Sequence, residues 1–103
     1  MPDPGRAWTV EEANTALPMV RSALRRIQAL LPAGAELRAA VEELTGAGIV
    51  LRDLDAGLVD FPARLPDGRE YLLCWVLDEP EVAWWHWPDT GFAGRRPLAD
   101  PPA

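Results

Sequence analysis

Apolar residues in the first third of the chain recur at alternating steps of three and four positions, the spacing of one helix face. They are Val10, Ala13, Leu17, Val20, Leu24, Ile27 and Leu31. Thr9 and Glu12 have the spacing of a capping box, so a helix is predicted to begin here. Pro18 lies inside the pattern and predicts a kink rather than an end. Asn14 is attributed to the chemistry of the helix start.

A second helical pattern follows a turn predicted at Pro32-Ala33-Gly34. Its apolar positions are Leu37, Ala40, Val41, Leu44 and Ala47. Gly46 and Gly48 are placed to supply its C-cap. Because so few residues separate the two patterns, the helices are predicted to form an antiparallel hairpin over residues 8–47.

Beyond Gly48 the pattern changes to that of extended strands. They are predicted over 49–51, 58–61, 70–77 and 82–87, with Pro66-Asp67-Gly68 as the strongest turn signal. Short links favour an antiparallel meander. The sequence therefore predicts one α+β domain over 1–98 with two layers, a helical hairpin packed on an antiparallel sheet of about four strands. The sheet and a closing loop occupy 49–98, and a disordered tail is predicted over 99–103.

Both faces of the strand predicted over 70–77 are apolar. Tyr71, Leu73, Trp75 and Leu77 alternate with Leu72, Cys74 and Val76. A helical hairpin covers one face, so the other is expected to meet a second subunit, a ligand or the folded-back segment 92–98. A homodimer is the economical solution and is the expected assembly.

Composition narrows the class of partners. All ten basic residues are Arg, and the net charge is −6. This charge disfavours binding to duplex nucleic acid, because such binding depends on a positive surface. No apolar run approaches the ~20 residues of a membrane span, and no secretory signal is visible, so a cytoplasmic protein without membrane contact is expected. The lone Cys74 inside an apolar run suggests a buried thiol.

Motifs along most of the chain resemble domain-of-unknown-function family 2203, a group of small bacterial proteins. The resemblance is carried by Thr9, Glu12-Ala13-Asn14, Leu17-Pro18, Gly57 to Pro62, Leu73 to Trp75, Glu79 to Glu81, Trp85-His86 and Gly91 to Arg95. This chain departs from the family pattern at Asp78, where Gly is expected, and at Trp87, where an acid usually follows the His. The resemblance implies a fold and the location of a site, and it implies no activity.

Two kinds of chemistry are open to the side chains of the C-terminal half. Asp60, Cys74 and His86 are candidate ligands for a divalent transition metal, because carboxylate, thiolate and imidazole are its ordinary ligands. Glu79 and Glu81 belong to the wider set of candidate ligands. Cys74 and His86 could also form a nucleophile and base, with Glu79 as a further catalytic candidate. The alternative is a purely structural role for these residues, with a buried thiol, a His that bonds to Asp60 or to a backbone carbonyl, and solvated carboxylates.

The density of Trp and Arg in the same region favours a binding surface instead. The predicted binding residues are Trp75, Glu79, Glu81, Trp85, His86, Phe92 and Arg95. Arg95 is expected to pair with Glu79 or Glu81, and Trp85 to form the wall of one connected site. The segment from Gly91 to Arg96 could form a loop that holds an anion; alternatively, it is a Gly-rich turn in which Phe92 fills the core. The leading hypothesis is thus a binding or assembly protein without a cofactor, taking a protein or a small planar or anionic ligand. A small metal-dependent hydrolase or metal-binding protein is the alternative.

Overall fold

The computed structural model describes residues 6–30 and 34–103, and it has the predicted α+β order. Helix α1 spans Val10–Leu30 and helix α2 spans Gly34–Gly46. The two helices pack against each other as a hairpin, with an ion pair between Arg26 and Glu43. The predicted turn at 32–34 falls mostly on residues outside the described part of the chain.

The start of α1 is the predicted capping box. Thr9 N donates to Glu12 Oε1 at 3.0 Å, and Glu12 N donates to Thr9 Oγ1 at 3.1 Å. These bonds satisfy two of the amides that a helix start leaves without intrahelical partners. Helix α1 continues through Pro18, which lies on its exposed side.

Helix α2 ends in a Schellman motif at Gly48. Gly48 has φ of 81°, a conformation that costs glycine little. Its N–H donates to Thr45 O at 3.0 Å, and Ile49 N donates to Leu44 O at 3.1 Å, so the last carbonyls of the helix are satisfied. The chain leaves this turn directly into the sheet.

The sheet has five antiparallel strands in sequence order, one more than predicted. They are β1 Val50–Asp53, β2 Leu58–Arg64, β3 Glu70–Val76, β4 Trp84–His86 and β5 Arg96–Pro97. The additional strand β5 pairs with β4 inside the region predicted as a closing loop. Two residues, one of them Pro, carry no strand pattern, so pairing with β4 creates this strand rather than local preference.

Alternation along the strands assigns each residue to one of two faces, as predicted for β3. The helix-facing side contributes buried residues to the main core together with α1 and α2. Its buried members are Val59, Phe61, Ala63, Leu73, Trp75 and Trp85. Leu72 and Cys74 lie on the opposite face and are also buried, at 3% and 0% exposure. Both faces of β3 are therefore covered within one chain.

Chain segments that follow β4 supply cover at this end of the sheet. Pro88, Gly91 and Phe92 line a cavity with Cys74 and so lie over the second face. The tail over 99–103, for which disorder is predicted, instead contacts Trp85 of the helix-facing side: Trp85 Nε1 donates to Asp100 O at 2.8 Å.

Asn14 has a long-range role instead of the expected role at the helix start. Its Oδ1 accepts the Val82 N–H at 2.7 Å, which ties α1 to the segment entering β4. Asn14→Ala is expected to lower the free energy of unfolding by about 1 to 3 kcal/mol, because the buried amide of Val82 loses its acceptor. Denaturant titration measures this. Ser22→Ala, at an exposed position of the same helix, should change it by less than about 0.5 kcal/mol.

Neither α1 nor α2, within the described residues, combines the length and the apolar character that crossing a bilayer requires.

Candidate functional site

Three potential metal ligands meet on the sheet face that points away from the helices. Asp60 on β2 lies directly opposite Cys74 on β3, and His86 on β4 pairs with Leu72, two residues before Cys74. All three side chains point to this face because they occupy matching positions of the strand alternation. One ligand atom from each lies within 4.8 Å of the others, and all three residues are buried. This group is called the Asp-Cys-His cluster below.

The hydrogen bonds of His86 determine which ring nitrogen faces the cluster. Nδ1 lies 2.8 Å from Trp87 O, and since a carbonyl only accepts, Nδ1 carries the proton. Nε2 lies 3.1 Å from Asp60 Oδ1. In neutral His86 this nitrogen is an acceptor facing another acceptor. A proton or a cation between Nε2 and Oδ1 is therefore needed to make this contact favourable.

Asp60 is held from its other oxygen by Arg52 on β1. Arg52 Nε donates to Asp60 Oδ2 at 2.8 Å, while the Arg52 side chain stays 48% exposed and that of Asp60 only 2%. A buried carboxylate is costly unless it is paired, and this bond supplies a partner. It also orients the free oxygen of Asp60 toward His86, as outer-shell partners do for metal ligands.

Cys74 is a protonated thiol in the metal-free protein. Burial, with the nearby Asp60 carboxylate as the next cause, raises the pKa of Cys74 to about 12. A cysteine nucleophile needs the opposite shift, toward a thiolate at neutral pH. The environment of Cys74 therefore disfavours the nucleophile hypothesis. As a metal ligand, Cys74 would have to release its proton when the ion binds.

Metal-free native protein is expected to react with a thiol reagent at neutral pH at least about 100-fold more slowly than unfolded protein. Burial blocks access to Cys74, and its raised pKa keeps the thiolate scarce. Timed labelling with and without denaturant measures the ratio, and the unfolded chain is the internal control. Comparable rates in both states would contradict the buried, protonated thiol.

A second polar cluster adjoins the first through the backbone of Cys74. Arg95 pairs with both carboxylate oxygens of Glu79, at 3.0 and 2.8 Å, as predicted for one of the two acids. Its Nη2 also donates to Cys74 O at 3.3 Å. The guanidinium carbon lies 4.9 Å from the ring centroid of Trp84 and 4.7 Å from that of Phe92. This group, the Arg95 clasp, attaches the loop after β4 to the centre of the sheet.

The remaining predicted site residues are dispersed. Trp75 and Trp85 lie on the helix-facing side of the sheet, so Trp85 is not the wall of a site at His86. Alternation explains this, because Trp85 immediately precedes His86 on β4. Glu81 is exposed, and Arg95 pairs with Glu79 instead. Phe92 does not fill the core but is 49% exposed at the rim of the cavity beside the Asp-Cys-His cluster.

Sequence reasoning missed Arg52 and the loop residue Pro88. Arg52 belongs to β1, but the apolar pattern predicts that this strand ends at Leu51. The bond from Arg52 to Asp60 also depends on a strand pairing whose register shifts between Leu51 and Asp53. Val50 pairs with Asp60, so alternation along β1 puts Arg52 on the face of Asp60, but that register is a long-range property that local sequence patterns do not give. The position of Pro88 depends on the path of a loop and has no sequence signal.

Two cavities border Arg52. One, of about 200 Å³, is lined by all three members of the Asp-Cys-His cluster together with Arg52, Leu58, Pro88, Gly91 and Phe92. A larger one of about 680 Å³ lies between α2 and β1, and its lining is mainly apolar. The smaller cavity carries the candidate chemistry, because all three side chains of the Asp-Cys-His cluster line it.

The fold and the cluster define a small α+β protein with a buried carboxylate, thiol and imidazole beside a cavity. Residues 28–98 match the family described as Uncharacterized conserved protein (DUF2203), and the chain belongs to that family. The match includes every member of the Asp-Cys-His cluster and of the Arg95 clasp. No curated protein and no solved structure matches the chain.

Proposed function

We propose that the protein binds one divalent transition metal ion of the zinc class through Asp60, Cys74 and His86. The observation that carries this proposal is the convergence of three different ligand types within 4.8 Å beside a cavity. Tetrahedral zinc separates its ligand atoms by about 3.3 to 3.6 Å, so a pair at the full 4.8 Å has to approach by about 1 Å, and the His86–Asp60 pair at 3.1 Å has to open slightly.

The surroundings of the cluster support a metal over a purely structural group. Proton donation from His86 Nδ1 to a backbone carbonyl is the usual arrangement of a metal-bound His, because it leaves Nε2 to coordinate. Asp60 is likewise held by Arg52. A metal between Nε2 and Oδ1 would remove the conflict between two facing acceptors, as a proton on Nε2 also would. Three protein ligands with a fourth position toward a cavity are typical of catalytic rather than structural zinc sites.

The test begins with the metal content of protein purified without a His tag. Cobalt then replaces zinc as a spectroscopic probe. Bound Co²⁺ is expected to give visible bands of a four-coordinate ion and a near-ultraviolet charge-transfer band from thiolate. Cys74→Ser should lose the charge-transfer band, and His86→Ala should weaken cobalt binding at least about 100-fold. Glu81→Gln, which changes an exposed acid of the same region, is the matched control and should behave as wild type. Cobalt that stays in bulk solution with wild-type protein overturns the proposal.

A homodimer in the cytoplasm stays a separate prediction. The dimer was expected because the second face of β3 is apolar. The loop after β4 covers part of that face within one chain. Assembly is therefore independent of the metal proposal, and the mass of the particle in solution decides it.

A further inference from the structure

The cavity beside the Asp-Cys-His cluster has features that select one class of ligand. We propose, on the basis of the metal proposal above, that a small monocarboxylate occupies the fourth coordination position of the metal. The metal and the Arg52 guanidinium would bind this ligand jointly. The apolar part of this ligand would lie against Phe92, Leu58 and Pro88.

Charge is the first argument. A divalent ion with one carboxylate and one thiolate is neutral, so the charge of Arg52 leaves the site at +1. Among the residues that line the cavity, Asp60 is the one acidic side chain, and it is already a ligand. This local surplus occurs in a chain of net charge −6, so the cavity lining differs in sign from the protein as a whole. A monoanion is the ligand charge that neutralises it.

Arg52 offers donors of suitable geometry. A guanidinium has five N–H groups in a planar fork that fits a carboxylate. In the described part of the chain, the hydrogen bond of the Arg52 guanidinium is the one from Nε to Asp60, which leaves the two terminal nitrogens for a ligand. The side chain is also 48% exposed, so solvent and ligand can reach it.

Size and lining restrict the remainder of the ligand. A volume of about 200 Å³ corresponds to roughly seven waters at about 30 Å³ each, which admits an acid of a few carbons and is too small to enclose a nucleotide. Leu58, Pro88 and Phe92 supply an apolar wall. Each CH₂ that this wall removes from water is expected to tighten binding about fourfold.

Titration of cobalt-loaded protein with acetate and propionate tests the inference. Both acids should shift the visible bands of bound cobalt in wild type, and propionate should bind about fourfold more tightly than acetate. In Arg52→Lys, compared at full cobalt occupancy, the Kd for both acids should rise at least about tenfold. Arg64→Lys, at an exposed Arg outside the cavity lining, is the matched control and should leave both Kd values unchanged.

Phe92→Ala separates the apolar wall from the charge. It should remove the preference for propionate while leaving the acetate Kd within about twofold of wild type. Visible bands that do not respond to either acid, or equal Kd values in wild type and Arg52→Lys, overturn this inference while the metal proposal stands. Failure of cobalt to bind at all is a different result, because it removes the metal proposal itself.

Discussion

Zinc at about one hundred times its Kd is expected to raise the thermal midpoint of the wild-type protein by about 10 to 20 °C. Binding to the native state alone adds about 2.7 kcal/mol at that concentration. A domain of this size gains about 4 to 8 °C for each kcal/mol. Scanning calorimetry with zinc and with chelator measures the difference.

Variants of the cluster make this test specific. At the same zinc concentration, His86→Ala should reduce the zinc-dependent shift to below about 3 °C, because only two protein ligands remain and a 100-fold weaker site adds only about 0.4 kcal/mol. The quantity to compare is the shift within each variant, so any change in intrinsic stability cancels. Glu81→Gln should keep the full shift. A wild-type midpoint that is equal in zinc and chelator would contradict binding to the native state.

Arg95→Ala is expected to lower the free energy of unfolding by about 2 to 3 kcal/mol. The substitution leaves the Glu79 carboxylate, 23% exposed, without its bidentate partner, and it removes the bond to Cys74 O. The Arg95 contacts with the Trp84 and Phe92 rings are lost as well. The buried Nε–H of Arg95 has no acceptor in the described chain, and this lowers the net stabilisation that the Arg95 clasp provides. Denaturant titration measures the change.

The neighbouring Arg96 provides the control for this prediction. Its side chain is 57% exposed and lies 3.9 Å from Asp100, so Arg96→Ala should cost less than about 1 kcal/mol. A double-mutant cycle with Glu79→Gln should show a coupling energy of about 1 kcal/mol or more between Arg95 and Glu79. Equal costs for Arg95→Ala and Arg96→Ala would argue against the clasp as a stabilising unit.

The sequence contains enough to predict the two layers and to single out the residues of the Asp-Cys-His cluster. Periodicity and the Thr9 capping box predict the helices, and alternation places Cys74 and Trp75 on opposite faces of β3. The candidate set of Asp60, Cys74 and His86 follows from residue chemistry. The register that pairs Asp60 with Cys74 does not, because it depends on the long-range fit of two strands.

Other parts of the site lie beyond local patterns. Arg52 is an exposed residue on a four-residue edge strand, and nothing near it in sequence indicates a buried carboxylate as its partner. The prediction that Trp85 forms the wall of a site at His86 was wrong, because adjacent residues of a strand point to opposite faces of the sheet. The path of the loop from Pro88 to Arg95 depends on the Arg95 clasp, a contact 16 residues apart in the chain.

The three members of the Asp-Cys-His cluster come from three adjacent strands in the interior of the sheet. Backbone hydrogen bonds therefore hold the three strands in register without an ion, and side-chain shifts of about 1 Å would complete the proposed site. Zinc fingers differ, because their ligands sit in a chain that is unfolded without metal. If the metal proposal holds, the polypeptide is expected to fold first and to bind the ion afterwards. The folded, empty chain would then be a stable receptor whose occupancy follows the concentration of free metal.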